Sequence, residues 1–201
     1  TEKNKKSANW IGGRYNVDEV NDIYDARSVV YSVSHLLGIT PDENTFLYGQ
    51  KDWNANGDIY RFVQFYKGVM VPDGYVVVKV DNYGNTEYLY NQCKTEEEMG
   101  IKSTRPKVKE KKILALFEKE YKLYTPKTQA LYIRNGPNKK LKLMWQLSAD
   151  SPSDRTVFFY YDANTGKEII YDREKHQEEL ELAVQESQDE RNLIPEPART
   201  I

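Results

Sequence analysis

Cys93 is the one thiol in the chain. A thiol becomes a nucleophile only where a neighbour draws off its proton. It stands in the polar run Asn91-Gln92-Cys93-Lys94, with only two histidines in the whole sequence to serve it. It reads as an incidental surface thiol, and a single cysteine closes no intrachain disulfide. His35 falls beside Leu36 and Leu37 on a helical pattern and reads as a surface or boundary residue. His176 lies in a charged stretch with Glu178 and Glu179, without the second histidine one turn away that a zinc helix requires. No glycine-rich phosphate loop follows a strand, no serine sits in a nucleophile elbow, and no carboxylate pair is set by spacing for acid–base work. The sequence therefore reads as non-catalytic, with no cofactor.

One stretch does copy a ligand pattern. Asp52-Trp53-Asn54-Ala55-Asn56-Gly57-Asp58-Ile59 reproduces the first eight positions of an EF-hand loop, with oxygen donors at Asp52, Asn54 and Asn56, and Asp58 at the seventh position. The twelfth position, which should supply a bidentate glutamate, is Val63, and the flanks read as strands. Asn56-Gly57 is also a strong hairpin signal, because both residue types accept positive φ. A bare turn is the first reading, and calcium on Asp52, Asn54, Asn56 and Asp58 is the second.

Composition excludes whole classes of partner. Of 201 residues, 29 are Lys or Arg and 31 are Asp or Glu, a formal net charge of −2. Neither nucleic acid nor an anionic membrane is implied. No apolar run approaches the roughly 18 residues of a bilayer span, so no membrane span is expected. The basic clusters at Lys3 to Lys6 and Lys107 to Lys112 read as solvated surface.

The elements that carry these residues form two halves, each a helix followed by antiparallel strands, which makes the chain α+β. Ile23, Ala26, Val30, Val33 and Leu37 share one helical stripe, so a helix is expected over Val17 to Leu37, stopped by Gly38. Strands are expected at Thr45 to Gln50, Asp58 to Tyr66, Tyr75 to Asp81 and Thr86 to Tyr90. In the second of these, Tyr60, Phe62, Gln64 and Tyr66 share a face. A polar linker is expected over residues 93–105. Pro106 suits the first turn of a second helix capped by Ser103 or Thr104, with Ile113, Leu116, Phe117 and Tyr121 on its buried face. Strands follow at Leu131 to Arg134, Leu141 to Ser148 and Thr156 to Tyr161. Arg173 to Arg191 is helix-forming and acidic, with a thin apolar strip at Leu180, Ala183 and Val184. It is expected to lie exposed or to pair with something outside the chain, and the proline-bearing residues 192–201 to be extended.

Two motifs add a resemblance. Tyr60-Arg61-Phe62-Val63-Gln64-Phe65-Tyr66-Lys67-Gly68-Val69-Met70-Val71, preceded by Leu36-Leu37-Gly38-Ile39 and followed by the strand Tyr75 to Val80 and the turn Asp81-Asn82-Tyr83-Gly84, resembles the fungalysin/thermolysin propeptide motif. It departs from it at Val63, where glutamine is usual, and at Met70, where proline is usual. Lys142-Leu143-Met144-Trp145-Gln146-Leu147, with Phe158-Phe159-Tyr160-Tyr161-Asp162-Ala163-Asn164-Thr165-Gly166-Lys167-Glu168-Ile169, resembles a PepSY module. Together they span about residues 17–171, in the order found in propeptides of thermolysin-type zinc metallopeptidases.

The resemblance implies two cystatin-like modules, each a helix packed on an antiparallel sheet, over residues 8–92 and 106–172, with a C-terminal helical then extended tail over 173–201. It implies a secreted or cell-envelope setting. The partner would be a zinc metallopeptidase catalytic domain, in cis or in trans, with its zinc helix beyond Ile201 if the chain is half of a precursor. The role would be intramolecular chaperone and inhibitor, released when the zymogen is cut. Leu193, Ile194 and Ile201 would then be the candidates to fill a subsite. Arg61, Gln64, Gly68, Trp145, Asp162 and Gly166 are expected to fix sheet and turn geometry. The other reading is a stand-alone or membrane-tethered PepSY-type regulatory binding domain of the cell envelope.

Overall fold

The computed structural model describes residues 7–16, 18–46, 49–54, 56–172 and 176–185. The fold is α+β, and the chain divides into two compact units. Unit 1 comprises the residues up to Arg105 with Tyr132–Asn135 and Lys139–Lys142; unit 2 comprises Pro106–Leu131, Gly136–Asn138 and the chain from Leu143 onward.

Unit 1 is a helix on an antiparallel sheet. Its strands are β1 (Trp10–Gly12), β2 (Asn44–Thr45), β3 (Gly49–Asn54), β4 (Gly57–Tyr66), β5 (Val69–Val80) and β6 (Thr86–Asn91). They lie in the order β1-β6-β5-β4, with β2 and β3 both on the far side of β4. The helical residues fall in α1 (Ile23–Ser32), α2 (Ser34–Leu37) and the short α3 (Glu96–Met99). Alternation along β4 sends Tyr60, Phe62, Gln64 and Tyr66 inward, all buried. With Val76, Val78 and Leu89 from the neighbouring strands, Tyr60 and Phe62 join Ala26, Val30 and Leu37 in one core.

Three expectations for unit 1 are corrected. The first helix begins at Ile23, later than expected. Asp22 caps it, accepting from Tyr24 N (2.8 Å) and Asp25 N (2.9 Å), which satisfies amides that otherwise lack partners at a helix start. The expected linker over 93–105 also carries structure. Thr95 and Glu98 form a reciprocal capping box at the start of α3, and Met99 is buried. Cys93 is not a surface thiol: it is buried in the unit 1 core, and desolvation pushes its pKa up to about 12.

The remaining elements are α4 (Glu110–Glu120), β7 (Thr125–Asn135), β8 (Leu141–Asp150), β9 (Thr156–Asp162) and a helix over residues 176–185, here α5; unit 2 holds them apart from Tyr132–Asn135 of β7 and the first two residues of β8. β8 lies between β7 and β9. Ile113, Phe117, Leu147, Phe159 and Tyr161 are buried, so the face of α4 expected to be apolar is partly confirmed. Leu116 of the same expected face is among the exposed hydrophobics. The helix starts later than Pro106 would suggest. Val108 is held in place by its N–H bond to Ala163 O (2.9 Å) and by its carbonyl, which accepts from Trp145 Nε1 (2.8 Å), so helical geometry begins only beyond it. Among the described residues no helix is long and apolar enough to cross a membrane.

Candidate functional site

The motif residues take well-defined local positions. Gln64 is fully buried, and its amide is satisfied on both ends. It donates to Asn44 Oδ1 (2.7 Å) and Lys94 O (2.8 Å) and accepts from Lys94 N (2.8 Å). Asn44 passes the chain of bonds on to Glu96 Oε1 (2.8 Å). A buried polar group of this kind is costly unless paired, and here every member has a partner. Lys67 (φ 46°) and Gly68 (φ 80°) form the two-residue turn between β4 and β5, with the positive φ at both positions that such hairpins need. Trp145 is buried with its indole N–H on Val108 O. Asp162 Oδ1 accepts from Asn164 N (2.9 Å) and Thr165 N (3.1 Å), and Gly166 (φ 74°) completes that turn. Arg61 is exposed, with its guanidinium 4.0 Å from the Tyr75 ring centroid.

Arg61 belongs to a row that sequence reasoning missed. Paired residues on neighbouring strands share a face. The register aligns Trp10 with Tyr90, Tyr90 with Val77, and Val77 with Arg61 across β1, β6, β5 and β4. Tyr88 and Tyr75, each two residues along, lie on the same face. The buried Leu89, Val76 and Val78 point the other way, toward α1. Trp10, 57% exposed, stacks on Tyr88 with ring centroids 4.2 Å apart and planes 21° apart. Gly12 stands opposite Tyr88, next to the Trp10 indole. Tyr75 and Tyr90 meet at 6.3 Å, and Tyr90 Oη accepts from Gln92 Nε2 (2.6 Å). The result is an aromatic platform with one cation over a ring. The signal that could have found it is the period of two in Tyr88-Leu89-Tyr90, whose central residue is apolar and buried.

The other concentration of chemistry lies in unit 2. Tyr121 Oη donates to Glu168 Oε2 (2.6 Å) and lies 3.2 Å from His176 Nε2. With its own proton spent on Glu168, the tyrosine oxygen accepts from His176. Burial raises the Glu168 pKa, while the Tyr121 bond and His176 oppose the shift; burial, followed by the Glu168 contact, raises that of Tyr121. The group holds α5 in place: the Tyr124 hydroxyl donates to Glu179 O (3.2 Å), and Ala183 is buried. The tail helix was expected to stand exposed or to reach outside the chain. Through residue 185 it packs instead on its own unit, because His176 reaches the aromatic rings Tyr121 and Phe159.

The calcium reading fails on geometry. Asp52 and Asp58 sit in the β3–β4 ladder, where Asp52 pairs with Ile59 and Asp58 with Trp53. Alternation places the two carboxylates on opposite faces of the ribbon, out of reach of one ion. Asp58 is bound to Lys51 Nζ (2.8 Å), and Asp52 Oδ1 accepts from Gln50 Nε2 (2.9 Å). The backbone of Asn54 is paired with Gly57, and Asn56 O accepts from Lys79 Nζ (2.6 Å). Among the described residues no group of three or more His, Cys, Asp or Glu side chains is gathered to hold a metal. Leu193, Ile194 and Ile201 lie outside the described residues.

These features define an α+β protein of two helix-and-sheet units with an open aromatic sheet face. No protein-family profile matches the chain, and no curated protein matches it. Among solved structures it is similar to the Bacillus megaterium YpeB C-terminal domain, at 15% identity with a TM-score of 0.40, over 80% of this chain and 69% of that one.

Proposed function

We propose that the chain is a non-catalytic binding protein of a secreted or cell-envelope setting, and that unit 1 docks on a folded partner through its aromatic sheet face. The observation that carries this reading is the row Trp10, Tyr88, Tyr90, Tyr75 and Arg61 on the side of the sheet away from α1. Aromatic residues and arginine are the residue types enriched at protein interfaces and among their energetic hot spots. Their rings already touch one another on a paired sheet, so little side-chain freedom is lost on docking. The partner proposed is the catalytic domain of a thermolysin-type zinc metallopeptidase, in cis or in trans, for which the chain acts as chaperone and inhibitor. The order of the two motifs over residues 17–171 supports that choice. The test is to titrate the full chain into a thermolysin-type peptidase and follow peptide hydrolysis. Hydrolysis slows at micromolar chain, and Trp10→Ala weakens the effect by roughly thirtyfold, as expected for a hot spot. Hydrolysis unchanged by the native chain overturns the inhibitor reading and leaves the envelope regulator. Slowing that Trp10→Ala and Tyr88→Ala do not touch overturns the choice of face.

A further inference from the structure

We propose that the open half of the β9 edge is a strand-addition site for an extended, basic peptide segment of a partner protein. The inference stands apart from the aromatic face of unit 1. β9 pairs with β8 on one side, from Met144↔Asp162 to Asp150↔Thr156. On its other side a return segment covers only the C-terminal half: Asp162 N donates to Lys167 O (2.8 Å), Ile169 N donates to Tyr160 O (2.7 Å), and Tyr161 and Glu168 form an antiparallel bridge.

Those bonds fix which backbone groups face outward. In an antiparallel strand every second residue turns its N–H and C=O to the same side. The outward series Asp162, Tyr160 therefore continues to Phe158 and Thr156. Among the described residues no backbone bond outside the β8–β9 ladder reaches Phe158 or Thr156. An edge left in this state is a template for another strand. The uncovered half opens on a groove of ≈ 280 Å³ that runs along Thr156 to Tyr160 and is bounded on its other side by residues including Tyr171 and His176.

Charge selects the occupant. Among the described residues, Glu168, Asp172 and Glu179 line the groove and neither lysine nor arginine does. An incoming strand with lysine or arginine at alternate positions places those groups beside the carboxylates, while the half-exposed Phe158 ring offers apolar contact. A second copy of β9, docked edge to edge, would bring two sets of the same carboxylates together. Like charges disfavour that pairing.

The experiment uses the full chain and three capped synthetic octapeptides: alternating lysine and valine, alternating glutamate and valine, and the lysine peptide N-methylated at every second residue. Binding is read by fluorescence anisotropy and by amide chemical shifts. The lysine peptide binds and moves the Thr156 and Phe158 amide signals. The N-methylated and glutamate peptides bind at least about tenfold more weakly, since one loses backbone hydrogen bonds and the other meets like charge. Phe158→Pro removes an outward N–H without touching the β8 ladder and weakens the lysine peptide by roughly tenfold. Equal binding of the N-methylated peptide overturns the proposal even if Phe158→Pro fails to fold. So do shifts confined to other residues, no binding of any peptide, or self-association that moves the Thr156 and Phe158 amides without peptide.

Discussion

Each unit carries a cluster of aromatic rings beside its sheet, and the two clusters have opposite fates. In unit 1, Trp10, Tyr75, Tyr88 and Tyr90 lie on the face turned away from α1, so the stacked rings remain accessible. In unit 2, Phe117, Tyr121 and Tyr124 close around Phe159, which is 3% exposed, and α5 lies against them through His176. The residue types are almost the same. What differs is whether a second layer of helix covers the rings. Covered rings are anchored by burial and by the polar clamp of Tyr121, Glu168 and His176. Open rings stabilise the fold little and stay accessible.

Mutations at the two clusters should therefore separate stability from binding. The largest effect is expected from Phe159→Ala, which removes the ring at the centre of the covered cluster and should cost unit 2 about 3–5 kcal/mol. Chemical denaturation checks this, and a loss under about 1 kcal/mol would mean that the cluster is not a packed core. Tyr121→Phe deletes only the hydroxyl between Glu168 and His176 and should cost about 1–2 kcal/mol. Amide hydrogen exchange over residues 176–185 should speed up selectively; exchange that speeds up evenly across the protein would deny Tyr121 its role as the clamp of α5.

Glu168 sharpens the same contrast through pH. Its pKa is raised by burial, so the folded state keeps its proton to higher pH than the unfolded chain. Where the folded state binds more protons, stability falls as pH rises, here from the ordinary carboxylate value up through the raised one. Below that window both states are protonated and the group adds no slope. Glu168→Gln should flatten this part of the curve in denaturation measured from about pH 4 upward. An unchanged slope would place its origin elsewhere. The smallest effect on stability, about 1 kcal/mol or less, is expected for Trp10→Ala, which loses an exposed ring stack. A destabilisation as large as that of Phe159→Ala would show the open face to be core.

Much of this architecture was legible because periodicity is a burial signal. The stripe Ile23, Ala26, Val30 placed the first helix, and alternation placed the buried face of β4. Endpoints were less legible, since they depend on side-chain bonds across long sequence separations: Asp22 as a cap is local, but the Val108 backbone is fixed by Trp145 and Ala163. The buried state of Cys93 was hidden for a similar reason. Its neighbours Asn91, Gln92 and Lys94 are polar, yet Lys94 is tied to Gln64 and Asn91 Oδ1 accepts from Cys93 N (2.9 Å), so polar residues line an inward path. The aromatic platform was the least legible, because sixteen tyrosines give no sign of which face outward until strand register aligns Trp10, Tyr90 and Arg61.

The burial of Cys93 also equips the protein with a reporter of its own. A thiol held near pKa 12 and out of solvent reacts slowly with alkylating reagents while unit 1 is closed. Since no second thiol competes, the rate of modification at neutral pH counts opening events of that unit alone. Partner occupancy of the aromatic face should slow this clock by the same factor by which it lowers the open population, without any dye or engineered label.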